Sequence, residues 1–185
     1  MTKVMTGLYR GLQSVYCPAH QQRRLAVMSF EIERKFLVSQ DVRQFCRGGH
    51  QIIQGYVSSN CGRKTRIRIR NDQAFLTIKG NRNGLVRSEF ERTIPFSWAI
   101  AVLSRLPSET LISKTRYEVE FAGMTWEIDV FNGRNRGLVL AEVELSHADQ
   151  SIQLPDWVGE EVTFDPRYGN SSLSVRPITT WAEAA

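Results

Sequence analysis

The sequence predicts a mainly antiparallel β fold (α+β), in which eight strands close into a tunnel with a charged interior and a few covering helices. Apolar and polar residues alternate with period two through most of the stretch from Glu31 to Leu145. The alternating segments are joined mostly by hairpin-length turns, which favours a meander of antiparallel strands. Like charges also recur two residues apart, at Glu31/Glu33, Arg66/Arg68, Glu89/Glu91, Lys114/Arg116, Glu127/Asp129 and Glu142/Glu144. On an open sheet with one wet face such pairs repel, and the charges should be mixed with Ser, Thr, Asn and Gln. They become favourable when the sheet closes and a multivalent cation and a polyanion sit between the strands.

The elements follow in order. Residues 1–27 form a basic N-terminal extension, and the domain proper spans residues 28–185. Lys3, Arg10, Arg23 and Arg24 stand there without an acid, leaving 20 basic against 19 acidic residues in the rest of the chain. Three readings of the extension stay open: a start codon chosen too far upstream, a disordered tail, or an Arg-rich targeting peptide. A non-essential extension is the reading adopted. The first strand, Glu31 to Val38, turns Glu31, Glu33 and Lys35 to one face and Ile32, Phe36 and Val38 to the other. Ser39 to Gly49 reads as a short helix, opened by Ser39 or Asp41 and closed by Gly48-Gly49.

Gln51 to Val57 is the second strand and contains Gln54-Gly55-Tyr56. In Lys64 to Arg70 arginine alternates strictly with β-branched residues. A charged edge strand would look similar, but Ile67 and Ile69 need a buried face. Ala74 to Lys79 follows, then a hairpin turn over Gly80-Asn81-Arg82-Asn83-Gly84. The returning strand places Arg87, Glu89 and Glu91 together, and Pro95 to Leu106 reads as a helix over the apolar side of the sheet. Thr110 to Phe121, Met124 to Phe131 and Leu138 to Leu145 bring the strands with one charged face each to about seven, Gln51 to Val57 carrying no charge. An eighth of this charged kind is expected near Glu161 to Phe164.

Composition excludes several classes. Hydrophobic content of 42% and charged content of 23% are ordinary for a soluble globular protein, and no apolar run is long enough for a membrane-spanning helix. Outside the extension the charge is nearly balanced, so no basic coat for nucleic acid is expected. Cys17, Cys46 and Cys61 are widely spaced and suggest neither a disulfide framework nor a zinc site; a reducing cytoplasm is the simplest setting. All-oxygen ligands point to Mg²⁺ or Mn²⁺. Rows of Arg and Lys suit phosphate oxygens, and a linear triphosphate has the length and charge to span both sets. His20, His50 and His147 are scattered and adjoin no nucleophile constellation.

Glu31-x-Glu33-x-Lys35 resembles the ExExK signature of the CYTH superfamily, also called triphosphate tunnel metalloenzymes. Arg66-x-Arg68, Lys79, Glu89-x-Glu91, Lys114-x-Arg116, Glu127-x-Asp129 and Glu142-x-Glu144 follow in the family's order. The resemblance runs from about Met28 to the C-terminus and implies a metal-dependent enzyme acting on a triphosphate-containing small molecule. By this resemblance Glu31, Glu33, Glu142 and Glu144 bind metal. Arg66, Arg68, Lys79, Lys114 and Arg116 grip the triphosphate, with Arg87 of the right parity to join them. Glu89, Glu91, Glu127 and Asp129 are further ligands or partners for the basic residues. Lys35 holds phosphate or orients the attacking water, and Tyr56 acts near it or simply packs.

The short domain and its Gly159-Glu160-Glu161-Val162-Thr163 and Arg167-Tyr168-x-Asn170 ending most resemble the small bacterial triphosphatase-type members. Hydrolysis of inorganic tripolyphosphate to pyrophosphate and phosphate is therefore expected. A class IV adenylyl cyclase, or a nucleoside or thiamine triphosphatase, is the alternative, and a non-catalytic polyphosphate-binding module stands behind both. Relatives often dimerise, so a homodimer is possible.

Overall fold

The computed structural model describes residues 27–181 apart from 40, 43 and 58–63. The N-terminal extension, Cys17 and Cys61 lie outside the described residues. Nine strands form one sheet: β1 (Val27–Val38), β2 (His50–Val57), β3 (Lys64–Arg70), β4 (Gln73–Asn83), β5 (Val86–Thr93), β6 (Ile112–Phe121), β7 (Met124–Phe131), β8 (Val139–Glu144) and β9 (Val158–Glu161). Two helices, α1 (Phe96–Leu103) and α2 (Asn170–Leu173), and four short 3₁₀ turns complete the described elements.

The strand order is β5-β4-β3-β2-β6-β7-β8-β1, and an additional β5–β1 pairing closes the ring. Eight antiparallel strands thus form the barrel. Closure depends on β1 being long enough to serve two partners: residues 27–32 pair with β5, whereas residues 33–37 pair with β8. The strand expected near Glu161 is not the closing one. It is a ninth strand, ends at Glu161, and continues the β1 edge beyond β5 by pairing with Phe36 and Val38.

Two other expectations are corrected. The described residues between Ser39 and Gly49 form turns, not a helix. The backbone and hydroxyl of Ser39 both donate to the Trp157 carbonyl, at 2.9 and 3.3 Å, which ties the segment across the barrel wall. Val42 then inserts into the outer core. The Gly80–Gly84 turn is also displaced. β4 runs on to Asn83 through a register shift between Lys79 and Arg82, and the reversal is a two-residue turn with Gly84 at φ +60°. A bulge of this kind adds a residue to one strand and re-aims the side chains beyond it.

Period two places the apolar residues outside. Phe36, Trp126, Ile128, Ala141, Val143 and Trp157 form one outer core, with the Phe36 and Trp126 rings 5.7 Å apart. On the opposite wall α1 lays Ala99 and Leu103 onto Ile67, Ile69 and Ala74. A third cluster breaks the inside–outside rule. Leu37, Ile112, Phe131 and Leu140 have the inward parity of their strands, yet pack with Val162, Leu173, Tyr168 and Trp181 of the C-terminal segment. At that end the lumen is filled by apolar side chains. Among the described residues no helix is long and apolar enough to cross a membrane.

Leu103 is 1% exposed and anchors α1 to the wall. Leu103→Ala is expected to lower the unfolding free energy by about 2–5 kcal/mol in urea titrations. A loss well under 1 kcal/mol would show that the helix is held some other way.

Candidate functional site

The lumen contains a cavity of about 520 Å³. Around the ring, β3 contributes Arg66 and Arg68, β4 Lys79 and Arg82, β5 Arg87, and β6 Arg116. The facing strands contribute Glu31 and Glu33 from β1, Glu127 from β7, and Glu142 and Glu144 from β8. Strand order therefore separates a basic half-wall from an acidic one, with Glu89 on β5 and Lys35 on β1 at the seams. A second cavity of about 560 Å³ shares Glu31, Glu33, Glu127, Glu142 and Glu144, and extends past the Gly123 turn towards Gln150.

Ion pairs stitch the halves together. Lys79 Nζ lies 2.6 Å from Glu31 Oε2 and 2.8 Å from Glu89 Oε2. Lys35 Nζ lies 2.8 Å from Glu142 Oε1 and 3.6 Å from Glu33 Oε1. Glu142 accepts a second hydrogen bond from Arg116 Nη2 at 2.7 Å. Lys35 and Arg116 hold Glu142 well below the usual carboxylate range despite its burial, and Glu142 and Glu33 in return raise Lys35. Lys35 is thus a fixed cation, not a base.

Asp129 is completely buried. It accepts from Arg116 Nε at 2.7 Å and Nη2 at 2.6 Å, and it also pairs with Lys114. Lys114 does not line the cavity: it is 2% exposed and its Nζ sits 5.4 Å from the Phe131 ring centroid. Burial, with Arg116 nearby, pulls its ammonium down to about 8. Lys114 and Asp129 share the inward face of Arg116 but lie below the cavity, towards the apolar end of the lumen, where Asp129 grips the Arg116 guanidinium. Arg116 also pairs with Glu127.

Glu91 likewise faces basic residues. It accepts from Arg68 Nη2 at 2.9 Å, Arg66 Nη2 at 3.3 Å and Thr77 Oγ1 at 2.7 Å. The Nε–H groups of Arg66 and Arg68 are buried and have no acceptor among the described residues. Burial, and then the neighbouring Arg66, pull Arg68 down to about 10. Two crowded guanidinium groups with unused donors are suited to an anion. Arg87 donates to the Gly80 carbonyl at 2.9 Å and keeps its place on the wall.

The acidic half is crowded in the opposite sense. Glu33 and Glu144 are directly paired across β1 and β8, as are Glu127 and Glu142 across β7 and β8. Burial raises Glu33, with Glu142 and Glu31 adding to the effect against Lys35. Partial burial raises Glu144, helped by Glu127, Glu33 and Glu89. No three His, Cys, Asp or Glu among the described residues stand ready-arranged round a common point. The donor chemistry nonetheless fits a hard divalent cation: adjacent carboxylate oxygens, penalised when ionised together, and no cation paired with Glu144 among the described residues.

The structure adds residues that sequence reasoning missed. Arg82, assigned there to a turn, reaches the wall through the β4 bulge, donates to the Thr163 carbonyl at 2.7 Å and lies 3.6 Å from Glu33. Simple parity from Lys79 would send it outward, so its sequence carried no usable signal. Thr163 and Asn170 reach the cavity from the C-terminal segment. Thr163 Oγ1 accepts from the Lys35 backbone N–H at 2.9 Å. Gln54 shares parity with Tyr56 and hydrogen-bonds to it, a signal the spacing did contain.

A closed antiparallel barrel whose lumen sets a basic half-wall against an acidic one defines a charged-tunnel protein. Residues 29–177 match the CYTH domain, and the chain belongs to that family. It is 42% identical to the inorganic triphosphatase of Acetivibrio thermocellus over 156 residues, which is 84% of this chain and all of that protein. It is 36% identical to the inorganic triphosphatase of Nitrosomonas europaea over 152 residues, covering 78% of this chain and 97% of that one. A crystal structure of an inorganic triphosphatase superposes with TM-score 0.60 at 32% identity, covering 78% of this chain and 94% of the other.

Lys114 is expected to leave a signature in stability. Its folded value of about 8 lies below the ordinary lysine value of 10.5, so between these the unfolded chain binds more protons and stability rises with pH. That contribution is complete above the unfolded value and is lost as pH falls through the folded one. The stability of the wild type relative to Lys114→Met should therefore increase from about pH 8 to 10.5 in urea titrations. A flat difference would refute the assignment.

Proposed function

We propose that this chain hydrolyses linear triphosphates with Mg²⁺ or Mn²⁺, and inorganic tripolyphosphate foremost, releasing pyrophosphate and phosphate. The observation that carries the reading is one lumen in which under-satisfied guanidinium groups face a crowded set of carboxylates. The relatives matched across nearly their whole length, both inorganic triphosphatases, support the choice of substrate.

In this reading Arg66, Arg68, Lys79 and Arg87, joined by Arg82 and Arg116, bind the phosphate oxygens. They offset the charge that would otherwise repel a nucleophile and stabilise it as it shifts to the leaving group. Asp129, backed by Lys114, fixes the angle at which Arg116 is presented. Lys35, held by Glu142, stays protonated and donates to a phosphate oxygen or orients water. Glu31, Glu33, Glu142 and Glu144 would hold the divalent cation, which when bound supplies further charge neutralisation at the transferring phosphoryl group. Glu33 and Glu144 lead this set, because Glu31 and Glu142 already hold close cation partners. Hydrolysis forms one P–O bond from water and breaks one bridging P–O bond, so no protein nucleophile is required. The proposal includes a cytoplasmic setting and the capacity to form a homodimer, which sedimentation would reveal.

Phosphate release with Mg²⁺ or Mn²⁺ should be compared for tripolyphosphate, ATP, thiamine triphosphate and pyrophosphate, with cyclic AMP assayed in parallel. Preference for tripolyphosphate, abolished by EDTA, is expected; cyclic AMP and pyrophosphate from ATP, with tripolyphosphate left intact, would overturn the reading. Glu33→Gln and Glu144→Gln should each lower metal-dependent turnover by at least about 100-fold, the scale of an electrostatic catalytic group, with the fold retained by circular dichroism. Undiminished turnover would remove these two from the metal set.

A further inference from the structure

Gln54 lies inside the barrel wall, 1% exposed, between Arg68 of β3 and Ile112 of β6 in the strand register. Its Nε2 donates to Tyr56 Oη at 2.8 Å. Its Oε1 is buried without a donor among the described residues. A buried amide with an unused acceptor is unfavourable, and packing alone would be served better by Leu or Met at this position. The retained half of the amide has one visible use, which is to supply a hydrogen to the Tyr56 oxygen.

That hydrogen bond determines what Tyr56 can do. Its ring lines the cavity and it is the cross-strand partner of Arg66. With an oxygen lone pair occupied by Gln54, the hydroxyl proton is turned away from Gln54. Burial pushes the phenol up to about 12 in spite of Arg66 and Lys35, so the group remains a neutral donor at working pH. It therefore adds a directed hydrogen bond to the basic half-wall without adding a charge.

We infer that Gln54 is a positioning residue which, by donating to Tyr56 Oη, aims the Tyr56 hydroxyl at a phosphate oxygen of the bound triphosphate. The inference rests on the proposed triphosphate reading and deepens it, because Gln54 belongs to no charged pair and does not itself line the cavity. A hydrogen bond to a charged acceptor corresponds to roughly a tenfold or greater change in affinity.

The test is calorimetric binding of inorganic tripolyphosphate, in EDTA, to the wild type, Gln54→Met, Tyr56→Phe, the double variant and Gln54→Glu, each with its own unfolding curve. Gln54→Met and Tyr56→Phe should each weaken binding about tenfold, and the double variant should bind no worse than Tyr56→Phe. Gln54→Glu, which can only accept the tyrosine proton when ionised, should also weaken it. Wild-type affinity in Gln54→Met overturns the inference, as do independent losses that multiply in the double variant. Restoration by Gln54→Glu overturns it too, since the amide would then be acting as the acceptor. If Gln54→Met does not fold, Gln54→Glu and Tyr56→Phe decide by the same criteria. A wild type that binds tripolyphosphate but never hydrolyses it refutes the proposed reaction and leaves Gln54 to be decided by these affinities; no binding refutes both.

Discussion

Charges enclosed by a sheet must find partners within the sheet, and that constraint organises this barrel. Removing an ion from water costs several kcal/mol even after the protein relaxes. Asp129 is wholly buried and Glu142 nearly so, yet each is shared by two cations, Asp129 by Lys114 and Arg116, and Glu142 by Lys35 and Arg116. The strand register brings them together, setting Arg116 opposite Asp129 and Lys35 opposite Glu142. A slip of one residue would send each such group to the outer face, into the core around Phe36 and Trp126. Register, closure and charge pairing are consequently one requirement.

The same constraint explains how the lumen is divided. Basic and acidic residues come from opposite arcs of the ring, so neutralisation occurs chiefly at the seams, where Lys79 meets Glu31 and Lys35 meets Glu142. Away from the seams the groups are less satisfied. Among the described residues Arg66 and Arg68 keep buried Nε–H donors without acceptors, and Glu33 and Glu144 stand opposite one another. Such local conflict is characteristic of functional sites. In the proposed reading, a polyanion on one side and a cation on the other would relieve that conflict. At the far end Phe131, Leu140 and Leu173 replace charge with ordinary apolar packing.

The C-terminal segment contributes more than a cap. Thr163 ties it to the Lys35 backbone, and Arg82 holds its carbonyl from the other side of the lumen. The segment therefore couples β1, which carries the ExExK residues, to the bulged end of β4. A side chain at each of these elements reaches the same cavity.

Much of this was legible in the sequence because period two is a local property: it needs only the alternation of Glu31, Glu33 and Lys35 with Ile32 and Phe36, repeated in later strands, to assign faces and imply a charged interior. The hairpins at Gly84 and Gly123 and the helix after Pro95 were legible for the same reason, although the first turn was placed too early. Tertiary structure alone decided what depends on long-range pairing. It closed the ring through the β1–β5 pairing and left β9 outside it, and drew Arg82 inward through a bulge that parity cannot anticipate. It also set Lys114 and Asp129 below the cavity and tied Ser39 to Trp157 where the sequence had suggested the start of a helix. A sequence pattern tells which face a side chain occupies; how far along the barrel it lies, and which charge meets it there, follows only from the register of strands distant in the chain.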